Sequence, residues 1–234
     1  MKQSMYKMSL GDRIKGYYES PFKIKLPMRM PVIIRLDGKA FHTYTKKYEK
    51  PFDSVLVARM VDTAKYLCEN IQGAELAYTQ SDEISILLHN YKRLNSGSWF
   101  DNEIQKIVSI SAGMASSYFS MDSGELVQFD SRVFVLPEQE VCNYFIWRQQ
   151  DWERNSIQML SQSLYSHKQL QKKNQSQLQE LCFKKGKNWN DLSIQLKRGT
   201  CIVKNEREWG IDYNIPIFTR NRNYIEKRLS VIEE

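Results

Sequence analysis

No two cysteines in this chain have the C-x-x-C spacing. The four present, Cys68, Cys142, Cys182 and Cys201, lie far apart, which excludes a zinc ribbon and a disulfide framework and leaves reduced, mostly buried thiols. Histidine is scarcer still. His42, His89 and His167 share no ligand-like spacing, so a histidine metal centre is excluded too. The N-terminus intersperses Lys2, Lys7, Asp12, Arg13 and Lys15 among apolar residues with no continuous h-region, and no segment approaches membrane-spanning length. The expectation is a soluble, unexported, cytoplasmic protein with no membrane contact. Neither an internal repeat nor a long low-complexity tract interrupts the chain.

With 41% hydrophobic and 12% aromatic content over 234 residues, the chain can bury a core in one domain with an appendage. Its formal charge of +7 favours a polyanionic partner, nucleic acid or nucleotide, because a positive field concentrates either near the surface.

The apolar run Pro31 to Leu36 predicts a buried strand that ends at Asp37-Gly38. Asp53-Ser54 caps a helix to about Asn70, with Val57, Met60, Val61, Ala64 and Leu67 at helical spacing. Residues 75–80 and 83–89 predict a hairpin around Ser81-Asp82. A helix from about Asn102 to Tyr118 and an extended segment from Leu126 to Leu136 follow, closed by Pro137. The order strand, helix, strand, strand, helix, strand predicts an α+β, ferredoxin-like (βαββαβ) fold, the arrangement of a polymerase palm, over residues 1–137. Residues 138–234 then form a helical, basic appendage packed on the palm. It has a long helix from Val141 to Leu164, shorter helices through Leu196, and a small β-hairpin of Thr200–Val203 with Ile211–Phe218 around Asn205 to Trp209.

In a split βαβ arrangement the first and third strands are neighbours, so Asp37 and Asp82 meet at one sheet edge. Magnesium takes one or two carboxylates and leaves its other positions to water and phosphate oxygens, which makes such an edge a candidate site for phosphoryl chemistry. The plainer reading also stands, since Asp-Gly is a common turn dipeptide and Ser-Asp-Glu at a hairpin tip serves solubility. Lys184, Lys185, Lys187, Lys197 and Arg198 cluster in the appendage, as an RNA-docking surface or as a solvated lysine-rich face. Trp189 and Trp209 read as core.

Five motifs occur in order: Arg35-Leu36-Asp37-Gly38-Lys39-Ala40-Phe41-His42, Lys50-Pro51-Phe52-Asp53-Ser54, Tyr78-Thr79-Gln80-Ser81-Asp82-Glu83, Phe129-Asp130-Ser131-Arg132 and Trp147-Arg148-Gln149. Together they closely resemble the tRNA-histidine guanylyltransferases and their bacterial and archaeal relatives, the 3′-to-5′ polymerases, over about residues 5–220. The resemblance implies that ATP adenylylates a tRNA 5′-monophosphate and that the 3′-hydroxyl of an incoming GTP or other nucleoside triphosphate then attacks it. It implies two Mg2+ ions held by Asp37, Asp82 and the Gly38 carbonyl, a catalytic set of Asp37, Asp82 and the supporting Glu83, and a homotetramer. It also implies a triphosphate cradle from Gly38, Lys39, Ala40, Phe41 and His42, with Lys50, Asp53, Ser81 and Lys106 as further nucleotide contacts. Arg132 and Asn155 join the basic cluster as RNA contacts.

Where the eukaryotic enzymes carry a His-Ile-Asn-Asn-Leu-Tyr-Asn run, this chain reads Glu153-Arg154-Asn155-Ser156-Ile157-Gln158-Met159. That departure favours template-dependent repair of 5′-truncated tRNA over non-templated guanosine addition to histidine tRNA. Two rivals are a non-catalytic RNA-binding module and an RNA-independent palm-type nucleotide cyclase. The first needs aromatics on its central strands, where this chain has Val32, Ile33 and Ile34.

Overall fold

A strand buried on both faces needs apolar residues throughout, and the first strand therefore reads as a continuous run. In the computed structural model, which describes residues 8–92, 95–205 and 208–229, the order is α1 (Leu10–Ile14), β1 (Val32–Gly38), α2 (Phe41–Tyr44), α3 (Ser54–Asn70), β2 (Ala74–Gln80), β3 (Glu83–Leu88), α4 (Ile104–Ser123), β4 (Phe129–Val135), α5 (Glu138–Leu164), α6 (His167–Leu170), α7 (Gln175–Lys184), α8 (Ile194–Arg198), β5 (Thr200–Asn205), β6 (Glu208–Asp212) and α9 (Asn223–Glu226). The strands form one antiparallel sheet in the order β4-β1-β3-β2-β5-β6. The fold is thus α+β, and β1 does lie beside β3.

Two layers cover the sheet. Ile34, Leu36, Ile84 and Ile86 pack against Met60, Ala64 and Leu67 of α3 and Ile107, Ala115 and Phe119 of α4. On the opposite face Ile33, Leu76, Tyr78 and Leu87 meet Val141, Tyr144 and Phe145 of α5, with Ile215, Phe218 and Ile225 from the C-terminal segment. All four cysteines are free and buried. No helix among the described residues is long and apolar enough to cross a membrane.

Four boundaries differ from expectation. The second long helix runs to Ser123 and stops at Gly124, whose φ of 71° gives a left-handed cap; its apolar stripe continues one turn further, to Phe119. The strand predicted over Leu126 to Leu136 is shortened to Phe129–Val135, and the long helix begins at Glu138, just after Pro137. The last hairpin pairs β5 with Glu208–Asp212 rather than with Ile211–Phe218. There the Asp212 carboxylate accepts the Asn214 N–H at 2.9 Å and turns the chain, and Pro216 has no N–H to continue a ladder. The turn predicted at Asn205 to Trp209 includes residues 206 and 207, outside the described residues; Asn205 and Trp209 themselves are strand residues.

This hairpin extends the palm sheet itself, since Thr200, Cys201, Ile202 and Val203 pair with Thr79, Tyr78, Ala77 and Leu76. An edge strand as apolar as β2 would otherwise expose unpaired backbone groups. Gly199 sets up the pairing at φ 84°: a Cβ there would stand 2.7 Å from the Tyr78 ring and hydroxyl and 2.8 Å from the Thr79 carbonyl oxygen. Gly199→Ala should therefore cost about 2–3 kcal/mol, from backbone strain plus overpacking. Gly186 has a similar φ of 72° with open space around it, so Gly186→Ala should cost only about 1 kcal/mol. Denaturant midpoints of the two variants check the difference.

Candidate active site

Asp37 is the penultimate residue of β1, and the turn between β2 and β3 is tied to the strand's end by the Gly38 N–H donating to the Asp82 carbonyl at 3.1 Å. Ser81 occupies the turn at φ 49° and donates its hydroxyl to Asp82 Oδ1 at 2.9 Å. Asp37 and Asp82 are thereby brought to one corner of the sheet, both half-buried. Burial pushes the Asp82 carboxyl above its ordinary range, the Ser81 hydroxyl pulls against that, and the Asp37 charge adds to the rise. Among the described residues no group of three or more His, Cys, Asp or Glu side chains is placed to hold a metal ion. The corner instead offers two carboxylates and the Gly38 backbone, a set that suits magnesium completed by phosphate and water.

Glu83 does not stand with them as a free carboxylate. It points toward α5, where Arg148 Nε donates to its Oε1 at 2.7 Å and the Arg148 terminal nitrogen to its Oε2 at 2.6 Å. Arg148 also reaches Asp151 at 3.1 Å. Burial raises Glu83 despite the pull of Arg148. With both oxygens occupied, Glu83 is a positioning residue. Arg148 is the group that reading the sequence left without a role. Its signal was present: Val141, Phe145, Arg148 and Trp152 follow helical spacing, and a charged residue in an apolar stripe needs a buried partner.

The predicted triphosphate cradle is only partly available. The Gly38 N–H is used by Asp82, and the Lys39 N–H and Nζ donate to the Gln128 carbonyl and side chain at 2.8 and 2.9 Å. The N–H groups of Ala40, Phe41 and His42 open the short α2, where backbone donors have no intrahelical acceptor. The Phe41 side chain is core, with ring centroids 5.3 to 5.6 Å from those of Tyr44, Phe119 and Phe129. It packs so closely over Gly38 that a Cβ there would lie 2.1 Å from the Phe41 ring. His42 is exposed and contacts the Thr43 hydroxyl at 3.2 Å.

Beside the acidic corner an open cleft is lined by Tyr48, Lys50, Asp53, Gln80, Ser81 and Trp152, among others. Lys50 holds the Thr45 carbonyl at 2.9 Å. Asp53 caps α3: its two oxygens accept the N–H groups of Leu56 and Glu49, and these bonds hold it below its ordinary value although burial works the other way. Gln80 Oε1 and Trp152 Nε1 are buried and without partners, an acceptor and a donor that sequence spacing did not reveal.

Lys106 is not brought to this corner. Ser116 binds the Phe129 N–H, and Phe129 pairs with Gly38, so Lys106 lies ten residues or roughly 15 Å back along α4, paired with Glu103. The RNA-contact candidates also divide. Arg132, Asn155, Lys184, Lys185 and Lys187 are exposed. Lys197 and Arg198 instead serve the fold, donating to the Asn190 and Ile215 carbonyls, and the Arg198 carbonyl accepts the Tyr78 hydroxyl. Trp189 is buried and donates to the Ser156 hydroxyl.

A βαββαβ sheet with carboxylates at the end of its first strand and in its hairpin turn is the layout of a palm-type nucleotidyltransferase. Comparison with known proteins agrees: a family model described as tRNAHis guanylyltransferase matches residues 11–137. The chain belongs to that family. It is 50% identical to a bacterial tRNA(His) guanylyltransferase-like protein solved with ATP, at a TM-score of 0.91, covering 95% of this chain and 100% of that one. A structure of the same description with GTP is 47% identical, at a TM-score of 0.86 over 96% of this chain and 100% of that one. A probable tRNA(His) guanylyltransferase from Bos taurus is 29% identical, over 74% of this chain and 64% of that protein.

Two outcomes follow from the charges. Because folding raises the Asp82 value, the stability tied to it is present below the ordinary carboxylate range and lost as pH rises through the raised value. Asp82→Asn should therefore raise the melting temperature of the metal-free protein at neutral pH, with the gain vanishing toward about pH 4. Added Mg2+ should stabilise the unsubstituted protein more than this variant. Arg148→Met, which strands a buried carboxylate, should cost about 3–5 kcal/mol, and pairing it with Glu83→Gln should recover much of that loss.

Proposed function

We propose that this protein repairs 5′-truncated tRNA by adding nucleotides in the 3′-to-5′ direction, copying the opposite strand of the acceptor stem after ATP has activated the 5′-monophosphate. The convergence of Asp37 and Asp82 beside a cleft containing Lys50, Ser81, Gln80 and Trp152 carries this reading. The ATP and GTP held by similar bacterial proteins support nucleoside triphosphates as substrates, and the family supports tRNA as acceptor.

Two neighbouring carboxylates, one raised by burial and by the other's charge, fit a pair of Mg2+ ions that Asp37, Asp82 and the Gly38 carbonyl would hold. When bound, such ions neutralise charge on the attacking and leaving oxygens. The protein's own part is positioning. Lys50 places a point charge beside the cleft, the free amides of α2 face developing negative charge, and the unpartnered Gln80 and Trp152 groups orient a base. Glu83 and Arg148 hold β3 and α5 in register beneath the reacting groups.

Template choice rests on the segment from Glu153 to Met159. Glu153, Arg154 and Asn155 are exposed and lack the His-Asn run suited to one tRNA, while Ile157 packs into the helical core and Met159 lines the cleft. Base pairing is then left to select the incoming nucleotide. We extend the proposal to a cytoplasmic homotetramer, which the exposed apolar side chains Leu10, Ile14, Tyr17, Tyr18, Phe22 and Ile24 support as a self-association surface.

Offering all four nucleotides to truncated tRNAs that differ only at the opposing acceptor-stem position, then sequencing the 5′ ends, tests the reading. The added base should follow the opposing base, and Asp37→Asn should lower turnover by at least about a hundredfold. Guanosine added whatever stands opposite would return the chain to histidine-tRNA guanylylation. Binding without extension, or an RNA-independent cyclic product, would overturn the polymerase reading.

A further inference from the structure

The stretch between α2 and α3 forms one lip of the nucleotide cleft, to which Thr45, Tyr48, Lys50 and Asp53 contribute. It has little regular structure beyond a single helical turn at Thr45–Lys47, and it closes on itself. The Tyr48 N–H and Lys50 Nζ both donate to the Thr45 carbonyl, at 3.2 and 2.9 Å, and the Glu49 N–H donates to Asp53 Oδ2 at 3.1 Å. Its ends are anchored by the Tyr44 ring in the aromatic cluster and by Asp53 capping α3. These bonds set the lip's shape; where its middle stands against the opposite wall of the cleft depends on contacts from outside.

One side chain makes most of those contacts. Arg59, on the second turn of α3, does not line the cleft; it lies behind the lip, between it and the end of α4. Its Nη1 donates to the Tyr48 hydroxyl at 3.0 Å, its Nε to Asp122 Oδ2 at 2.8 Å and its Nη2 to the Asp122 carbonyl at 3.4 Å. The Tyr48 hydroxyl also meets that of Tyr44 at 2.7 Å. Lys47 adds an ion pair with Glu125, just past the end of α4, and stands 4.8 and 5.4 Å from the Tyr44 and Tyr48 ring centroids. Exposed pairs of that kind contribute little stability, and Asp122 is itself 51% exposed. What the Arg59 fork adds is geometry, because a planar guanidinium bonded on three nitrogens admits few placements of its partners. Lip, α3 and α4 converge on that one group.

We propose that Arg59 is a positioning residue for the nucleotide: by holding Tyr48 it sets the lip at the distance from Gln80, Ser81 and Trp152 that a nucleoside triphosphate requires, and so presents Lys50 to the phosphates. The proposal rests on the reading that this cleft takes nucleoside triphosphates. A lip already in place spares the incoming nucleotide the entropy of ordering it. Arg59 touches neither the nucleotide nor the reacting atoms. Its effect therefore falls on nucleotide affinity and leaves the chemical step at Asp37 and Asp82 unchanged.

The test compares ATP and GTP binding, nucleotide KM and kcat, and amide hydrogen exchange across residues 45–53 in the unsubstituted protein and its variants. Arg59→Met keeps the stem and removes the fork. It should weaken both nucleotides by roughly three- to tenfold, with kcat at saturating nucleotide and the KM for RNA unchanged. Exchange across the lip should quicken in this variant without nucleotide and slow again when ATP saturates it. Tyr48→Phe, which removes only the hydroxyl, should act in the same direction and add little to Arg59→Met in the double variant; it also serves should Arg59→Met not fold. Asp122→Asn, which retains an acceptor for Nε, should keep nearly full nucleotide affinity, whereas Asp122→Ala should not. Gly186→Ala is the control, a destabilised variant altered away from the cleft. If it weakens nucleotide binding as much as Arg59→Met does, the loss is general loosening and the proposal fails. Unchanged nucleotide affinity in folded Arg59→Met and Tyr48→Phe would overturn it as well. Lys50→Ala separates the two readings. If ATP binding falls with Lys50→Ala but not with Arg59→Met, only the positioning role is lost, whereas an unsubstituted protein that binds neither ATP nor GTP removes the cleft assignment on which it rests.

Discussion

One buried ion pair organises the functional half of this molecule. Arg148 reaches from α5 into a mostly apolar interface to grip both oxygens of Glu83 on β3, beside the buried hydrogen bond between Ser85 and the Tyr144 hydroxyl. Such a pair contributes little net stability, because desolvating two charges offsets their attraction, but a bidentate guanidinium tolerates few geometries. It therefore sets the rotation and height of α5 over the sheet. From that setting Trp152 faces the cleft near Ser81, and Trp147 stands over Arg35 at the other side of Asp37.

The pair also sorts the acidic groups by task. Three carboxylates cluster at the corner formed by β1 and the β2–β3 turn, and three unneutralised charges there would oppose one another strongly. Arg148 satisfies Glu83, and among the described residues Asp37 and Asp82 are left at the corner without an ion pair. Gly38 completes the corner by being small. Phe41 folds back over it into the aromatic cluster with Tyr44, Phe119 and Phe129, so the loop after β1 is anchored by core packing as well as by the hydrogen bonds of Lys39 to Gln128.

The C-terminal portion of the chain is structurally continuous with the palm. β5 covers the edge of β2, and α5 with Ile215, Phe218 and Ile225 forms the second layer over the sheet. Lys197 and Arg198 illustrate the consequence: residues that look like a basic surface patch are used to hold the approach to β5.

Local pattern determined much of this protein. The continuous apolar run before Asp37, the 3.6-residue spacing in Ser54–Asn70 and the hairpin around Ser81-Asp82 each specify an element through burial over short distances, and their order specifies a βαββαβ sheet with Asp37 near Asp82. The motifs around those residues also carried the family. Tertiary structure alone decided what each charge does. Lys106 fell far from the acidic corner, Lys197 and Arg198 were taken up by backbone carbonyls, and Glu83 was neutralised by a residue 65 positions away. The physical reason is range: periodicity reports which face of an element is buried, whereas a side chain's role depends on partners that only packing brings within a few ångströms.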